Sequence, residues 1–229
     1  MIHTGIVQYL SEIDTNIFLS FNGIHSPFWD YFMSSFTGKF IWIPMYATIL
    51  YILLKNFHWK VVMCYVAAIA LTITFADQMC SSIIRPVVAR LRPANPENPI
   101  VDLVHIVNGY RGGSYGFPSC HAANSFGLAM YVVFLFRKRW LSVFIITWAV
   151  LNCYTRIYLG VHYPGDLIVG GIIGGFGGWL FCTIAHKIAS YLQKPSRVRR
   201  NTIRQTSVTM YVGFLTCLLY TSDAADDTP

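Results

Sequence analysis

Thr155-Arg156-Ile157-Tyr158-Leu159-Gly160-Val161-His162-Tyr163-Pro164-Gly165-Asp166 is the stretch on whose reading the fold depends. It sets a guanidinium, an imidazole and a carboxylate in a short polar junction between two long apolar runs. The whole chain of 229 residues is 55% hydrophobic and only 12% charged, against about 25% charged in an average globular domain. Such a surface is poorly solvated by water but suits a bilayer, where helices satisfy their own backbone polar groups. The composition therefore argues for one all-α, polytopic membrane bundle. Ionisable side chains gathered where two spans meet are functional candidates by default.

The flanking runs are Trp140–Tyr154 and Leu167–Ala185, and three more are legible upstream: Phe40–Leu54, Val61–Ile84 and Ala122–Phe136. Phe40–Leu54 is short for a span, unless Lys39 snorkels to the interface. Val61–Ile84 carries Asp77, which reads as paired inside the bundle rather than catalytic. Leu167–Ala185 is rich in glycine (Gly170, Gly171, Gly174, Gly175, Gly177, Gly178), which allows close helix contact. Residues 85–118 are polar, rich in Pro and Gly, and too wet to span.

Residues 1–38 hold no Lys or Arg, and Ile6, Val7, Leu10, Ile13, Ile17 and Phe18 recur at helical spacing. This predicts an amphipathic helix at the interface, with an ordinary surface helix as the alternative. Asn22-Gly23 and Ser26-Pro27 break it, and an aromatic belt from Trp29 to Trp42 follows. No basic n-region opens the chain, so no cleaved signal peptide is expected. The expected organisation is an interfacial segment (1–38), a membrane domain (39–190), and a basic segment leading into a truncated sixth helix (191–216). The end, 217–229, resembles a translated sequencing-library adapter and is set aside from the fold, the alternative being a genuine acidic tail.

The net charge of +7 lies in short clusters between apolar runs, a topology signal rather than a nucleic-acid groove. Eleven of the 17 Lys and Arg fall in the loops on one side, among them Lys55, Lys60, Arg137, Lys138, Arg139 and Lys187. The positive-inside rule then puts 85–121 and 155–166 outside the cytoplasm, in a bacterial plasma membrane. The six cysteines show no CxxC or His/Cys spacing; Cys64, Cys80, Cys153 and Cys182 read as buried small hydrophobes. No disulfide framework, metal site or cofactor is expected.

Two further polar patches share that side with the opening stretch. Arg85-Pro86-Val87-Val88-Ala89-Arg90-Leu91-Arg92-Pro93 sets arginines at the mouth of a span. Arginine forks hold phosphate oxygens in bidentate fashion, although interfacial cations also contact lipid headgroups. Gly116-Phe117-Pro118-Ser119-Cys120-His121-Ala122 precedes the third span. Ser119 can cap that helix, whose free amides form an anion site, and His121 in the first turn can protonate a leaving oxygen. In the opening stretch, Asp166 is expected to cap the fifth span and reach back to His162. A carboxylate on Nδ1–H leaves Nε2 free, the form a nucleophile needs, and Arg156 holds phosphate oxygens.

Together the patches resemble the signature of the type-2 phosphatidic acid phosphatase superfamily, shared with vanadium haloperoxidases: Lys-x6-Arg-Pro, Pro-Ser-Gly-His and Ser-Arg-x5-His-x3-Asp. Arg92-Pro93, Pro118-Ser119, His121, Arg156, His162 and Asp166 match in identity, order and spacing. The resemblance covers roughly 40–185 and implies a six-helix core. It implies a phosphohistidine at His162, a proton from His121, orientation of His162 by Asp166, and Arg92, Arg156 and Ser119 on the phosphoryl oxygens. Arg85 stands where Lys is usual, Cys120 where Gly is, and Thr155 where Ser is. Arg85 keeps the charge, and Cys120 keeps its backbone amide for the phosphate while its thiol reads as a bystander.

The expected activity is a metal-independent membrane lipid phosphatase acting at the extracytoplasmic face on an amphiphilic phosphorylated lipid. Undecaprenyl diphosphate is the first choice of substrate; phosphatidic acid, phosphatidylglycerol phosphate and lipid A phosphates are the alternatives. A non-catalytic lipid-phosphate binding or transport protein is the rival of another class.

Overall fold

Long apolar runs without internal breakers become helices, and prolines and short polar stretches set their ends. The computed structural model describes residues 2–38, 40–192, 210–213 and 215–216. Lys39, the basic residues Lys194 to Arg204, and 217–229 lie outside the described residues, as does most of the expected truncated sixth helix. The helices are α1 (Ile2–Asn22), α2 (Pro27–Phe36), α3 (Ile43–Asn56), α4 (Trp59–Gln78), α5 (Arg85–Val88), α6 (Cys120–Phe136), α7 (Arg139–Tyr158) and α8 (Pro164–Leu192). A π-helical turn, Met79–Ile84, joins α4 to α5.

The described residues are thus all-helical apart from loops and one isolated antiparallel bridge, Leu91 with Tyr115. Among the described residues, three helices are long and apolar enough to cross a membrane: Trp59–Val88, Arg139–Tyr158 and Pro164–Leu192. Two of the five expected spans are shorter. α6 has 17 residues and α3 has 14, about 25 Å and 21 Å at about 1.5 Å per residue. Pro44 in the first turn of α3 sets its start, and Phe57, in extended conformation, ends it. The outward faces are apolar, with Leu54, Leu71, Ile83, Val143, Ile168 and Ile172 all exposed. Inside, Met45, Ile52, Val61, Val132 and Ile145 are buried, and the Tyr131 hydroxyl donates to the Tyr65 carbonyl at 3.1 Å.

The glycines of α8 explain how it meets α6. A Cβ on Gly170, Gly174 or Gly178 would run into the carbonyl oxygens of Ser119, Ala123 and Gly127 respectively. These positions recur every four residues on one face, so the two backbones touch along a seam that any side chain would pry open.

The chain breaks after α1 where Asn22-Gly23 and Ser26-Pro27 predict, with the Ser26 side chain accepting from the Trp29 amide at the start of α2. α1 turns Ile6, Val7, Leu10 and Ile17 outward together with Gln8, Ser11, Glu12, Asn16 and Ser20, while Asp14, Phe18 and Asn22 face the protein. Asn22 is fully buried; its Nδ2 donates to the carbonyls of His105, Ile157 and Tyr158, and its Oδ1 accepts from the His105 amide. Asp77 departs from expectation: it makes no ion pair among the described residues and is half-buried. Met210 packs on the core, and a Cβ on Gly213 would meet the Phe144 ring, so the start of the last apolar run lies against α7.

Candidate active site

Backbone hydrogen bonds stitch the three patches together. The Arg92 amide donates to Ser114 O (3.2 Å) and the Gly116 amide to Arg90 O (2.9 Å), which places the arginine patch beside the turn into α6. The Ser119 amide donates to Asp166 O (3.0 Å), tying the start of α6 to the start of α8. The Ala94 amide donates to Gly160 O (3.0 Å), closing the ring of loops.

His162 is the centre of this arrangement and is only 3% exposed. Its Nδ1 lies 3.3 Å from Asp166 Oδ2, and its Nε2 lies 3.1 Å from Arg92 Nη1. A guanidinium can only donate, so Nε2 is the acceptor and the ring proton belongs on Nδ1. Burial holds the imidazole well below its ordinary value, and the charges of Arg92, Arg156 and Arg85 push the same way. The ring is therefore neutral, with its lone pair facing the cations. Asp166 is not the cap residue of α8, as the sequence suggested, but the third residue inside it. From there its carboxylate accepts from the Tyr163 amide at 3.1 Å, the reach-back half of a capping box. Gly116 leaves room for this pair, since a Cβ there would sit 3.0 Å from Asp166 Oδ2 and 3.4 Å from His162 Nδ1.

Arg92 is fixed by Nε to Tyr115 O (3.1 Å) and by Nη1 to Val161 O (3.3 Å). Burial, with Arg85 and Arg156 nearby, lowers it to about 10, so it stays cationic near neutrality. Arg156, on the last turn of α7, donates through Nη1 to Thr37 Oγ1 (3.0 Å) and through Nη2 to the Tyr110 hydroxyl (3.5 Å). Arg85 turns its Nη2 to Pro118 O (3.0 Å) and to Cys120 Sγ (2.9 Å). The Cys120 thiol is thus not the bystander the sequence suggested but a contact of Arg85. The backbone at Cys120 has no positive φ, so a residue other than glycine fits. The Nε atoms of Arg85 and Arg156 are buried without a hydrogen-bond partner, which leaves the cationic cluster short of acceptors.

Ser119 is the N-cap of α6, accepting from the Ala122 amide at 3.3 Å. His121 follows in the first turn, half-buried, with Nε2 3.3 Å from Thr37 Oγ1. Thr37 therefore links His121 to Arg156. Thr155 contributes only locally: it is fully buried and its hydroxyl donates to Asn152 O at 2.6 Å. Sequence reasoning missed Thr37 and Tyr110, which lie outside every motif, and left Arg90 without a role. Arg90 Nη1 bridges Asp14 Oδ2 and Asp166 Oδ1, at 2.6 and 3.1 Å. Among the described residues no group of three or more His, Cys, Asp or Glu is placed to hold a metal ion.

A groove of about 510 Å³ opens from the site between α3, α4, α6 and α7. Thr37 and His121 line it, and Trp42, Ile49, Leu128 and Trp148 make its walls apolar. A buried neutral imidazole with its Nε2 lone pair turned to Arg92, surrounding guanidiniums, a helix N-terminus and a second imidazole beside an apolar groove form a site suited to a phosphate on an amphiphile.

The comparisons with known proteins agree with this geometry. A lipid A 4'-phosphatase of Bacteroides thetaiotaomicron is 69% identical over 213 residues, 92% of this chain and 95% of that protein. A lipid A 4'-phosphatase of Porphyromonas gingivalis is 35% identical over 168 residues, 73% of this chain and 71% of the relative. An undecaprenyl-diphosphatase of Sulfolobus acidocaldarius is 28% identical over 76% of this chain and 75% of its own length. The crystal structure of Aquifex aeolicus LpxE shares the fold, with a TM-score of 0.55 at 24% identity over 74% of this chain and 94% of that one. The family model described as the PAP2 superfamily matches residues 61–190, more than half of the chain. The chain belongs to the PAP2 superfamily, as a multi-pass membrane lipid phosphatase.

Proposed function

We propose that this enzyme removes the 4'-phosphate of lipid A at the extracytoplasmic face of the bacterial plasma membrane, through a phosphohistidine on His162. The observation that carries the substrate is the 69% identity, over nearly the full length of both chains, to a protein named for that activity. Undecaprenyl diphosphate, the first choice from sequence, drops behind: the relative named for it is only 28% identical. The distribution of Lys and Arg supports the orientation.

His162 Nε2 attacks phosphorus, and the bond from phosphorus to the sugar oxygen breaks opposite the new P–N bond. His121 donates a proton to that oxygen, and the dephosphorylated lipid leaves. A water then attacks the phosphohistidine, giving its proton to His121 and releasing inorganic phosphate and free His162. Asp166 holds the Nδ1–H tautomer through both steps. Arg85, Arg92, Arg156, the α6 amides at Cys120 and His121, and the Ser119 cap hold the phosphoryl oxygens. Arg92, which now donates to His162 Nε2, turns to the phosphate as the substrate arrives and frees the nitrogen. The apolar groove beside His121 accepts an acyl chain, so the headgroup can reach the site while the lipid stays partly in the bilayer.

The test is phosphate release by purified full-length protein from a panel of lipid A, phosphatidic acid, phosphatidylglycerol phosphate and undecaprenyl diphosphate, with and without EDTA. Lipid A should be turned over fastest, losing one phosphate at the 4' position by mass spectrometry, with EDTA without effect. Preference for undecaprenyl diphosphate would overturn the substrate. Tight lipid A binding with no phosphate release would favour a binding or transport protein.

A further inference from the structure

α1 reaches into the site from outside the family motifs. Asp14 Oδ1 accepts from the Gly165 amide at 2.8 Å, in the first turn of α8, and Asp14 Oδ2 meets Arg90 Nη1 at 2.6 Å. That same Nη1 donates to Asp166 Oδ1 at 3.1 Å, and Asp166 Oδ2 faces His162 Nδ1. Arg90 also lies over the Tyr163 ring, 3.8 Å from its centroid, and Phe18 of α1 packs edge-on to that ring. A Cβ on Gly165 would sit 2.8 Å from Asp14 Oδ2, so the glycine there makes room for the carboxylate. Asp166 is fully buried, whereas Asp14 and Arg90 are largely so, with side chains 14% and 23% exposed.

We propose that Asp14 and Arg90 form a charge-balanced pair that sets how much negative charge Asp166 presents to His162, making α1 a positioning and electrostatic part of the active site. Without Asp14, the Arg90 guanidinium would act on Asp166 alone, draw its charge away from the ring and weaken the nucleophile. Without Arg90, Asp166 would be over-charged towards the ring and loosely held. The other charges facing His162 are Arg92, Arg156 and Arg85, and those facing Asp166 are Arg90 and Arg92, with the Tyr163 hydroxyl nearby. Those three arginines are common to every variant below, so the Asp14–Arg90 pair is the part being varied. The inference rests on His162 being the nucleophile proposed above.

Opposite signs test it. Asp14→Asn should lower the rate about tenfold and move the acid limb of kcat/KM down by up to about one pH unit, because a negative charge has gone. Arg90→Gln should move the same limb up, because a positive charge has gone. The double variant should return the limb close to wild type, and Arg90→Lys, which can touch both carboxylates, should leave it there. The titration of the His162 ring, followed by NMR of 15N-histidine-labelled protein in micelles, should shift with the same signs and needs no turnover. Loss of rate with unmoved limbs and an unmoved His162 titration, or shifts of the same sign in both single variants, would overturn the proposal. Absence of lipid A turnover in the wild type, with the titration still moving as stated, would count against the phosphatase reading alone.

Discussion

His162 is 3% exposed and held on both ring nitrogens, by Asp166 on one side and Arg92 on the other. His121, by contrast, stands half-buried in the first turn of α6 at the edge of the apolar groove, where Thr37 faces its Nε2. One imidazole is fixed and dry, and the other borders the space a lipid would fill. The difference matches their proposed tasks. A nucleophile gains from a single orientation and a settled tautomer. A proton donor has to meet a leaving group that arrives and departs with the lipid.

The largest effect should come from the fixed side. His162→Ala should lose on the order of 10³-fold or more in phosphate release, since it removes the ring on which the proposed covalent intermediate forms. His121→Ala should lose on the order of 10²-fold or more on lipid A, and far less on an aryl phosphate whose leaving group needs no proton. Equal losses on both substrates would erase the distinction between the two imidazoles. Thr37→Val should cost about tenfold in kcat/KM, by loosening His121 and Arg156 together, comparable with loss of a hydrogen bond to a charged group. Filling the groove with Leu128→Trp should raise KM a few-fold for long-chain lipids and leave a short-chain phosphate unaffected.

Acid sharpens the contrast further. His162 is held below its ordinary value of about 6.5, so it stays neutral and nucleophilic as the pH falls past that point. The acid limb of the rate profile should therefore lie below about 6.5. The unfolded chain takes up this proton from about 6.5 downward while the folded one does not, so His162 lowers stability progressively through that window as pH falls. Thermal unfolding in detergent, compared with His162→Gln, reads that slope.

Much of this was legible in the sequence because the motif residues are close together or sit at fixed offsets from an apolar run. Arg156, His162 and Asp166 fall within one junction, and His121 follows a serine that caps a helix, so local chemistry suffices to place them. The family signature then joins the three patches. Thr37, Asp14 and Asn22 carry no such mark. Each is a single polar residue in the N-terminal segment, and its partners lie more than 70 positions away. Amphipathic spacing located α1 but put Phe18 on its apolar face with the exposed residues, whereas Asp14, Phe18 and Asn22 are the residues that meet the rest of the protein. The Cys120 contact with Arg85 was also hidden, because it depends on which way one guanidinium turns. The length of α3 was ambiguous from the outset, for hydropathy marks an apolar run but not the turn at which its helix begins.

The glycine seam between α6 and α8 has one more consequence. Each helix carries one of the reacting groups' supports in its first turn, His121 on α6 and Asp166 on α8, and main-chain atoms meet where the helices cross. The width of the catalytic jaw is accordingly set by bone rather than by flesh. Residues on the lipid-facing sides of either helix are free to drift without altering that gauge, whereas one methyl group added at Gly174 would spread it.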